Sequence, residues 1–302
     1  MLLKEVGGQD DLFTRLLSDH PISKERVAAA KALLSQLPAG GEDGRERYHR
    51  RLAALFRDAP AYEAYDKARK AYDKGDLTRA RTLVDKAIEI QPREAVFHVL
   101  KGDIYQKRYL EDKALAEYKE AARLNPGYYQ PHLKLGLLLD SLGRQGQARI
   151  ALENSLKLLK TAAALHRLGR YALNDGDYAT AKNYFKQAAE SDSKEGRAAF
   201  VDLLRIDLPE NAAAYLDAGL GLNKNGQVQI TIQNNTPFPI GNVVVVVETP
   251  TGGERIRLGG VTQPNSESIY TAQARWTREQ VNAASVRVVS ARLAAAGIDD
   301  VQ

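Results

Sequence analysis

The hydrophobic positions of the chain change period once. Through the middle of the sequence apolar residues recur every three or four positions, as on one face of a helix. From about Leu208-Pro209-Glu210 they recur every second position, as on one face of a strand. The helical part also repeats itself. Its fullest copy reads Gly102, Tyr105, Ala114, Tyr118, Ala121, Pro126, and the copy before it gives Gly75, Ala80, Val84, Ala87, Pro92. Pro92 and Pro126 lie 34 residues apart, as do Ala80 and Ala114, and Gly102 and Gly136. Each copy predicts two antiparallel helices. In the first these are Tyr62–Asp73 and Leu77–Ile90, joined at Lys74-Gly75-Asp76. Gly102, Gly136, Ala80, Ala114 and Ala148 let the paired helices approach closely, while Tyr118 and Phe185 fill the space between repeats. Pro92 and Pro126 stop the second helix. The third copy keeps Leu135, Gly136, Gly143 and Ala148 but has Ser155 and Lys160 for the later Ala and Pro. The fourth, with Leu168, Gly169, Gly176, Ala181, Phe185 and Ala188, runs one residue early, so the pattern degenerates toward its end. A short helix at Gly196–Ile206 is expected to cap the stack.

This period and residue set resemble the tetratricopeptide repeat, in about four copies from Ala61 to Ser193. The resemblance implies an all-α solenoid whose first helices line a groove for protein or peptide ligands. The groove positions are then Tyr62, Tyr65, Arg69 and Tyr72 in the first repeat, and Asp103, Gln106 and Lys107 in the second. Gln130 and Asp140 follow in the third, and His166, Arg170 and Asn174 in the fourth. Three tyrosines with an arginine suit a peptide anchor. Tyr62 and Tyr72 suit packing against a neighbouring helix equally well. Tyr65 and Arg69 occupy the first two positions of the family's carboxylate clamp, so the chaperone-tail pattern is absent.

The period-two region predicts a hairpin at Asn225-Gly226, between Gly219–Leu222 and Val228–Ile232, with a type I′ turn. Val243–Val247, five valines in a row, predict a strand buried on both faces. Further strands are expected at Glu254–Leu258, Glu267–Ala272 and Ser285–Leu293, giving a small antiparallel β-sandwich. Asn234-Asn235-Thr236-Pro237 before the valine strand, and Pro264-Asn265-Ser266 before another, resemble immunoglobulin-like modules of the FxLYD type. The whole chain reads as α + β multidomain. A helical linker spans 1–60, the repeats with their capping helix 61–207, the sandwich 208–294 and a tail 295–302.

Ahead of the repeats, residues 9–37 predict helices around a Ser18-Asp19-His20-Pro21 turn, with Ser23 capping the second. Pro38-Ala39-Gly40-Gly41 forms a loop, and Asp43 caps a helix with Tyr48, Leu52, Leu55 and Phe56 on one face. Pro60 is expected to break that helix. Leu12–Pro21 followed by Glu25-Arg26-Val27 resembles the end of the catalytic domain in the M-forty-eight family of zinc metallopeptidases (HtpX-like), whose bacterial members often continue into tetratricopeptide repeats. The resemblance implies a C-terminal region of such an enzyme, in envelope quality control, with the catalytic domain as a missing partner. The family's His-Glu-x-x-His helix is absent, so zinc would belong to residues preceding Met1. It further implies that His20 lies near the metal in the parent. Gating the metal and merely capping a turn both fit that imidazole. A stand-alone scaffold with no peptidase is the alternative reading.

Composition narrows the chemistry. With no cysteine there is no disulfide, thiolate metal site or cysteine nucleophile. No apolar run is long enough to span a bilayer and no leader peptide is visible, though Met1–Gly8 reads as the tail of an element rather than a natural start. Net charge is +5 with the signs interspersed. The cluster Arg45, Arg47, Arg50, Arg51 fits a solvated helix face better than a nucleic-acid site, since no aromatic platform accompanies it. Of the five histidines, His98, His132 and His166 share a spacing of 34. That puts them about 10 Å apart on successive helices, too far to share one ion. No phosphate loop, nucleophile elbow or zinc helix is present. The chain reads as non-catalytic, without cofactor, metal or nucleic acid, in a periplasmic or envelope-associated setting and soluble by itself.

Overall fold

The structure is a computed structural model and describes residues 44–294, together with Ala28, Lys31, Ala32, Ser35 and Gln36. His20 and its turn, the expected helices of 9–37 and the tail 295–302 lie outside the described residues. The chain divides into two units, Met1–Ala59 and Pro60–Gln302.

Nine helices of 12 residues or more are found among the described residues. They are α1 (Arg45–Asp73), α2 (Leu77–Ile90), α3 (Ala95–Lys107), α4 (Glu111–Leu124), α5 (Tyr129–Ser141), α6 (Gln145–Leu158), α7 (Ala162–Asn174), α8 (Tyr178–Ala189) and α9 (Lys194–Asn211). Pro60 lies inside α1, against the expected break. Its ring fixes a φ that is already helical, so in this exposed segment the proline removes one backbone hydrogen bond without ending the helix. In the first unit the α1 residues Arg47, Arg50 and Arg51 are exposed, and Arg57 Nε donates to Asp58 at 2.8 Å.

The second unit opens with the repeats. Ala61, Ala64, Ala68 and Ala71 form a buried stripe on α1 against Ala80, Val84, Ala87, Phe97 and Ile104. The close approach read from the small residues is literal. A Cβ on Gly102 would meet the Tyr118 ring at 2.4 Å, one on Gly136 would meet Leu152 at 2.6 Å, and one on Gly169 would meet Phe185 at 2.5 Å. Tyr118, Leu152 and Phe185 are themselves fully buried. Ser155, which replaces the third repeat's alanine, is also fully buried, and its hydroxyl donates to the Tyr129 carbonyl at 3.2 Å.

After a short 3₁₀ turn the chain forms two antiparallel sheets. The strands are β1 (Leu216–Leu222), β2 (Gln227–Asn234), β3 (Ile240–Thr249), β4 (Gly252–Arg257), β5 (Val261–Thr262), β6 (Glu267–Arg275) and β7 (Ser285–Leu293), with a short helix α10 (Arg278–Asn282) before β7. One sheet has the order β1-β2-β6; in the other, β3 pairs β4 and β5 and also β7. Val243, Val244, Val245 and Val247 are all buried, so β3 is covered on both faces.

Two expectations are corrected here. The helical period does not end at Leu208-Pro209-Glu210. Helix α9 continues through Pro209 to Asn211, because Leu208 and Ala212 are both fully buried in the sheet core. The expected boundary at 207/208 therefore falls inside α9. That helix serves two cores: Ala199 and Leu203 join Leu165, Ala172, Phe185 and Ala188, while Val201, Leu204 and Leu208 join Ile230, Ile232, Ile240 and Val245. The β1–β2 hairpin exists, but its turn is not type I′. Gly226 has φ +76°, and Asn225 is not among the non-glycine residues with positive φ. Instead the Asn223 side-chain oxygen accepts from the Asn225 and Gln227 amides at 2.9 and 3.0 Å, which stabilises a longer four-residue loop.

The Asn-rich turn has a structural use. Asn234 is fully buried, its amide donates to the carbonyls of Phe238 at 2.8 Å and Gln263 at 3.0 Å, and its oxygen accepts from Thr236 N at 2.9 Å. One side chain thus ties the loop before β3 to the loop before β6.

Candidate functional site

The first helices of the repeats carry the candidate groove. At its near end Tyr62 and Tyr65 both lie on the ring of Phe97, with centroids 5.3 and 5.1 Å away. The Tyr62 hydroxyl donates to Glu94 at 2.6 Å. Arg69 is exposed one turn further on. Lys107 Nζ stands 4.1 Å from the centroid of the half-buried Tyr72. Burial first, then the charges of Asp103 and Asp73, push the Tyr72 hydroxyl up to about 12. Burial also raises Tyr65, against a lowering by Arg69. The rings therefore stay neutral over the physiological range and offer apolar faces beside two cations.

Asp103 and Gln106 are not free groove residues. The buried Tyr118 hydroxyl donates to Asp103 Oδ1 at 2.6 Å and lies 2.9 Å from the Gln106 amide oxygen, while Lys134 Nζ is 3.0 Å from the same Asp103 oxygen. Gln130 is taken up by the hydroxyl of Tyr128.

The far end is occupied from within. Asp140 accepts from the Tyr171 hydroxyl and pairs with Arg167 at 3.2 Å. His166 Nε2 is 2.8 Å from Asp202 of α9, and its ring is 5.8 Å from Phe185. Burial raises the Asp202 carboxyl, but His166, Arg205 and Arg170 outweigh it and hold the group below its usual range. Arg170 and Asn174 are exposed. So the structure brings Tyr62, Tyr65, Arg69, Tyr72 and Lys107 into one surface, and it ties Asp103, Gln106, Gln130, Asp140 and His166 into inter-helix pairs.

Sequence reasoning missed the partners that do this tying: Phe97, Lys134, Arg167, Tyr171 and Asp202. A signal was present. Asp103 is followed by Lys134 after 31 residues, and Asp140 by Tyr171 after 31. That spacing is just short of the repeat, which puts a carboxylate and its partner on the first helices of neighbouring repeats.

The evenly spaced histidines serve separate purposes. His98 and His132 each place Nε2 3.3 Å from the carbonyl of the proline six residues earlier. His98 Nδ1 also meets Glu117 at 2.7 Å, while Lys101 bridges Asp85 and Glu117 at 3.0 and 3.1 Å. Burial lowers His98, but Glu117 and the Pro92 carbonyl outweigh it and leave it above its ordinary value. Among the described residues no group of three or more histidines and carboxylates is arranged to hold a metal ion. No helix among them is long and apolar enough to cross a membrane.

A tetratricopeptide repeat family model matches residues 162–195. The match covers α7 and α8 completely, with the first residues of α9. No curated protein matches the chain. Similar solved structures include MamA, 22% identical over 50% of this chain and 87% of that one, with a TM-score of 0.40. YrrB, described as a TPR protein with an unusual peptide-binding site, is 22% identical over 47% and 74%, with a TM-score of 0.41. Pseudomonas aeruginosa pilF is 20% identical over 49% and 69%, with a TM-score of 0.44. The 34-residue period, the helix pairs and the family match make this region a tetratricopeptide-like helical solenoid, followed by the antiparallel sheets.

Proposed function

We infer that the chain is a non-catalytic protein-interaction module whose first two repeats bind an extended peptide or an unfolded segment of a partner. The observation that carries this is the tyrosine surface: Tyr62 and Tyr65 over Phe97, and Tyr72 under Lys107, with Arg69 exposed between them. Aromatic rings held in place lose little entropy on binding, and arginine beside them adds directional hydrogen bonds. A Tyr65→Ala, Arg69→Ala variant should lose about 2 kcal/mol or more of affinity for a permanently unfolded, labelled protein chain, read by fluorescence anisotropy. Unchanged affinity with unchanged helicity would reject the groove assignment.

The wider setting we propose is a bacterial M-forty-eight-type metallopeptidase, for which this region presents substrates in envelope quality control. What supports it is Leu12–Pro21 and Glu25-Arg26-Val27 ahead of the repeats. Zinc would be held by that enzyme's own domain and by no residue of this chain, with His20 beside it. The coding sequence ahead of Met1 decides this. A His-Glu-x-x-His there supports the enzyme, and its absence leaves a stand-alone scaffold.

A further inference from the structure

Strand β4 lies at an edge of the four-stranded sheet. It pairs with β3 along its whole length, and among the described residues no strand lies on its other side. The ladder fixes which of its backbone groups are open. The Leu258 amide donates to the Val243 carbonyl at 2.8 Å. Antiparallel bonding alternates residue by residue, so Ile256 and Glu254 also turn their amides and carbonyls toward β3. Gly253, Arg255 and Arg257 turn theirs outward, where no strand takes them up. The side chains alternate too. Ile256 stands opposite Val245 and packs on the sheet core. Arg255 and Arg257 stand opposite Val246 and Val244, on the sheet's other face. Both are exposed, and neither is paired with a carboxylate among the described residues. Arg287 of β7 flanks Val246 from the opposite side and takes up Glu248 at 3.5 Å, so the nearest acid on this face is already used.

Charged residues at a sheet edge keep other strands away. These two do so selectively. A second copy pairing antiparallel about Ile256 would set arginine against arginine, and like charges directly opposite are destabilising. An acidic strand meets the reverse situation. Residues two apart in any extended chain are separated by about 6.8 Å. Carboxylates at alternate positions of an incoming strand therefore match Arg255 and Arg257, and the residue between them lies beside the half-buried Ile256. We propose that β4 accepts an extended acidic–apolar–acidic segment of a partner protein, which adds an antiparallel strand to the sheet. The outward backbone groups of Arg255 and Arg257 supply the main-chain bonds, and their guanidinium groups select the sequence. This edge is separate from the repeat groove, so either assignment can fail without the other.

Fluorescence anisotropy of short labelled peptides with the whole chain tests it. A peptide with Glu-Val-Glu at its centre, among serines and threonines, should bind. Its Lys-Val-Lys counterpart should bind at least ~10-fold more weakly, because two attractive cross-strand pairs become repulsive. An Arg255→Glu, Arg257→Glu chain should reverse that preference, and its binding of the lysine peptide shows that it has folded. N-methylation of both glutamate amides, which face β4 in the added strand, should abolish binding. N-methylation of the valine amide, which faces away, should leave it unchanged. The Tyr65→Ala, Arg69→Ala chain should bind the glutamate peptide as the wild type does. The proposal is overturned by absence of binding up to about 1 mM, by a preference that does not reverse, or by equal binding of the two methylated peptides. Loss of binding in the groove variant also overturns it, by placing the peptide in the groove.

Discussion

The first and last pairs of repeats use the same backbone positions for different ends. In the first pair, aromatic groove residues rest on one another and leave Arg69 and Lys107 at the surface. In the last pair, Asp140 is held by Arg167 and Tyr171, and His166 by Asp202 of α9. The last pair is also joined to the sheets, because α9 places Ala199 and Leu203 in the repeat core and Val201, Leu204 and Leu208 in the sheet core. Buried Asp207 strengthens that joint through Lys182 at 2.7 Å and Tyr215 at 2.8 Å. Burial raises its carboxyl, but these partners and Asn211 outweigh it and hold the group below its usual range. A solenoid's contacts run between neighbours, so its two ends can be specialised independently. Here one end presents a surface and the other is fixed to a second layer.

The largest effects should separate these ends. Phe97 and Phe185 are both fully buried. Truncating either to alanine should cost about 3–5 kcal/mol by transfer and cavity terms together. The location of the damage should differ. Trp276 is the chain's single tryptophan and packs on the sheet core. Its fluorescence therefore reports the sheets, while far-ultraviolet circular dichroism reports the helices. In urea, Phe185→Ala should move both transitions, because its cavity lies against α9. Phe97→Ala should move the helix signal and leave the Trp276 transition within error. Equal movement of both signals in both variants would mean that the array unfolds as a single block.

A second effect separates the two ends by pH. His98 sits between Glu117 and the Pro92 carbonyl, with Lys101, Asp85 and Glu120 around it, and its pKa is raised in the folded chain. The folded state therefore holds the proton more tightly than the unfolded state. The stabilisation is complete below the ordinary histidine value and is lost as pH rises through the raised one. Glu117 has the opposite sign. Burial raises it, but His98 and Lys101 outweigh this and leave it lowered, so its contribution is lost only in acid. His98→Gln should cost on the order of 1 kcal/mol at pH 6. That cost should shrink toward pH 9 in urea titrations. A deficit independent of pH would mean that His98 acts through packing alone.

Much of this was legible in the sequence because each repeat has to solve one packing problem. Gly102 opposite Tyr118, and Gly169 opposite Phe185, carry the period in residues that admit no alternative. The valine run and the edges of β7 are as plain, since β-branched residues buried on two faces fit little else. Three features escaped. The end of α9 was hidden by Pro209, because local propensity favours a break and only the burial of Leu208 and Ala212 on the sheets overrules it. The hairpin type was hidden because the Asn223 side chain, not the Asn225-Gly226 pair, organises the loop. The groove was legible as a row of positions but not as a surface. Whether a carboxylate such as Asp103 faces a ligand or Lys134 depends on a partner one repeat away.

The smallest effect compares two turns in equivalent places. Tyr109 adopts φ +56° where the next repeat has Gly143 at +71°. Space is not what selects glycine at Gly143, since a Cβ there would meet nothing within 4 Å. Backbone conformation is. Gly143→Ala should therefore destabilise the chain by about 1 kcal/mol. Tyr109→Gly should do the reverse, gaining roughly 0.5–1 kcal/mol as the left-handed strain is relieved, less the entropy that glycine adds to the unfolded chain. Urea melts measure both changes against one baseline. Opposite signs would show that the second repeat keeps a strained tyrosine at the expense of its own stability. A Tyr109→Gly chain less stable than the wild type would mean instead that the ring supports its turn.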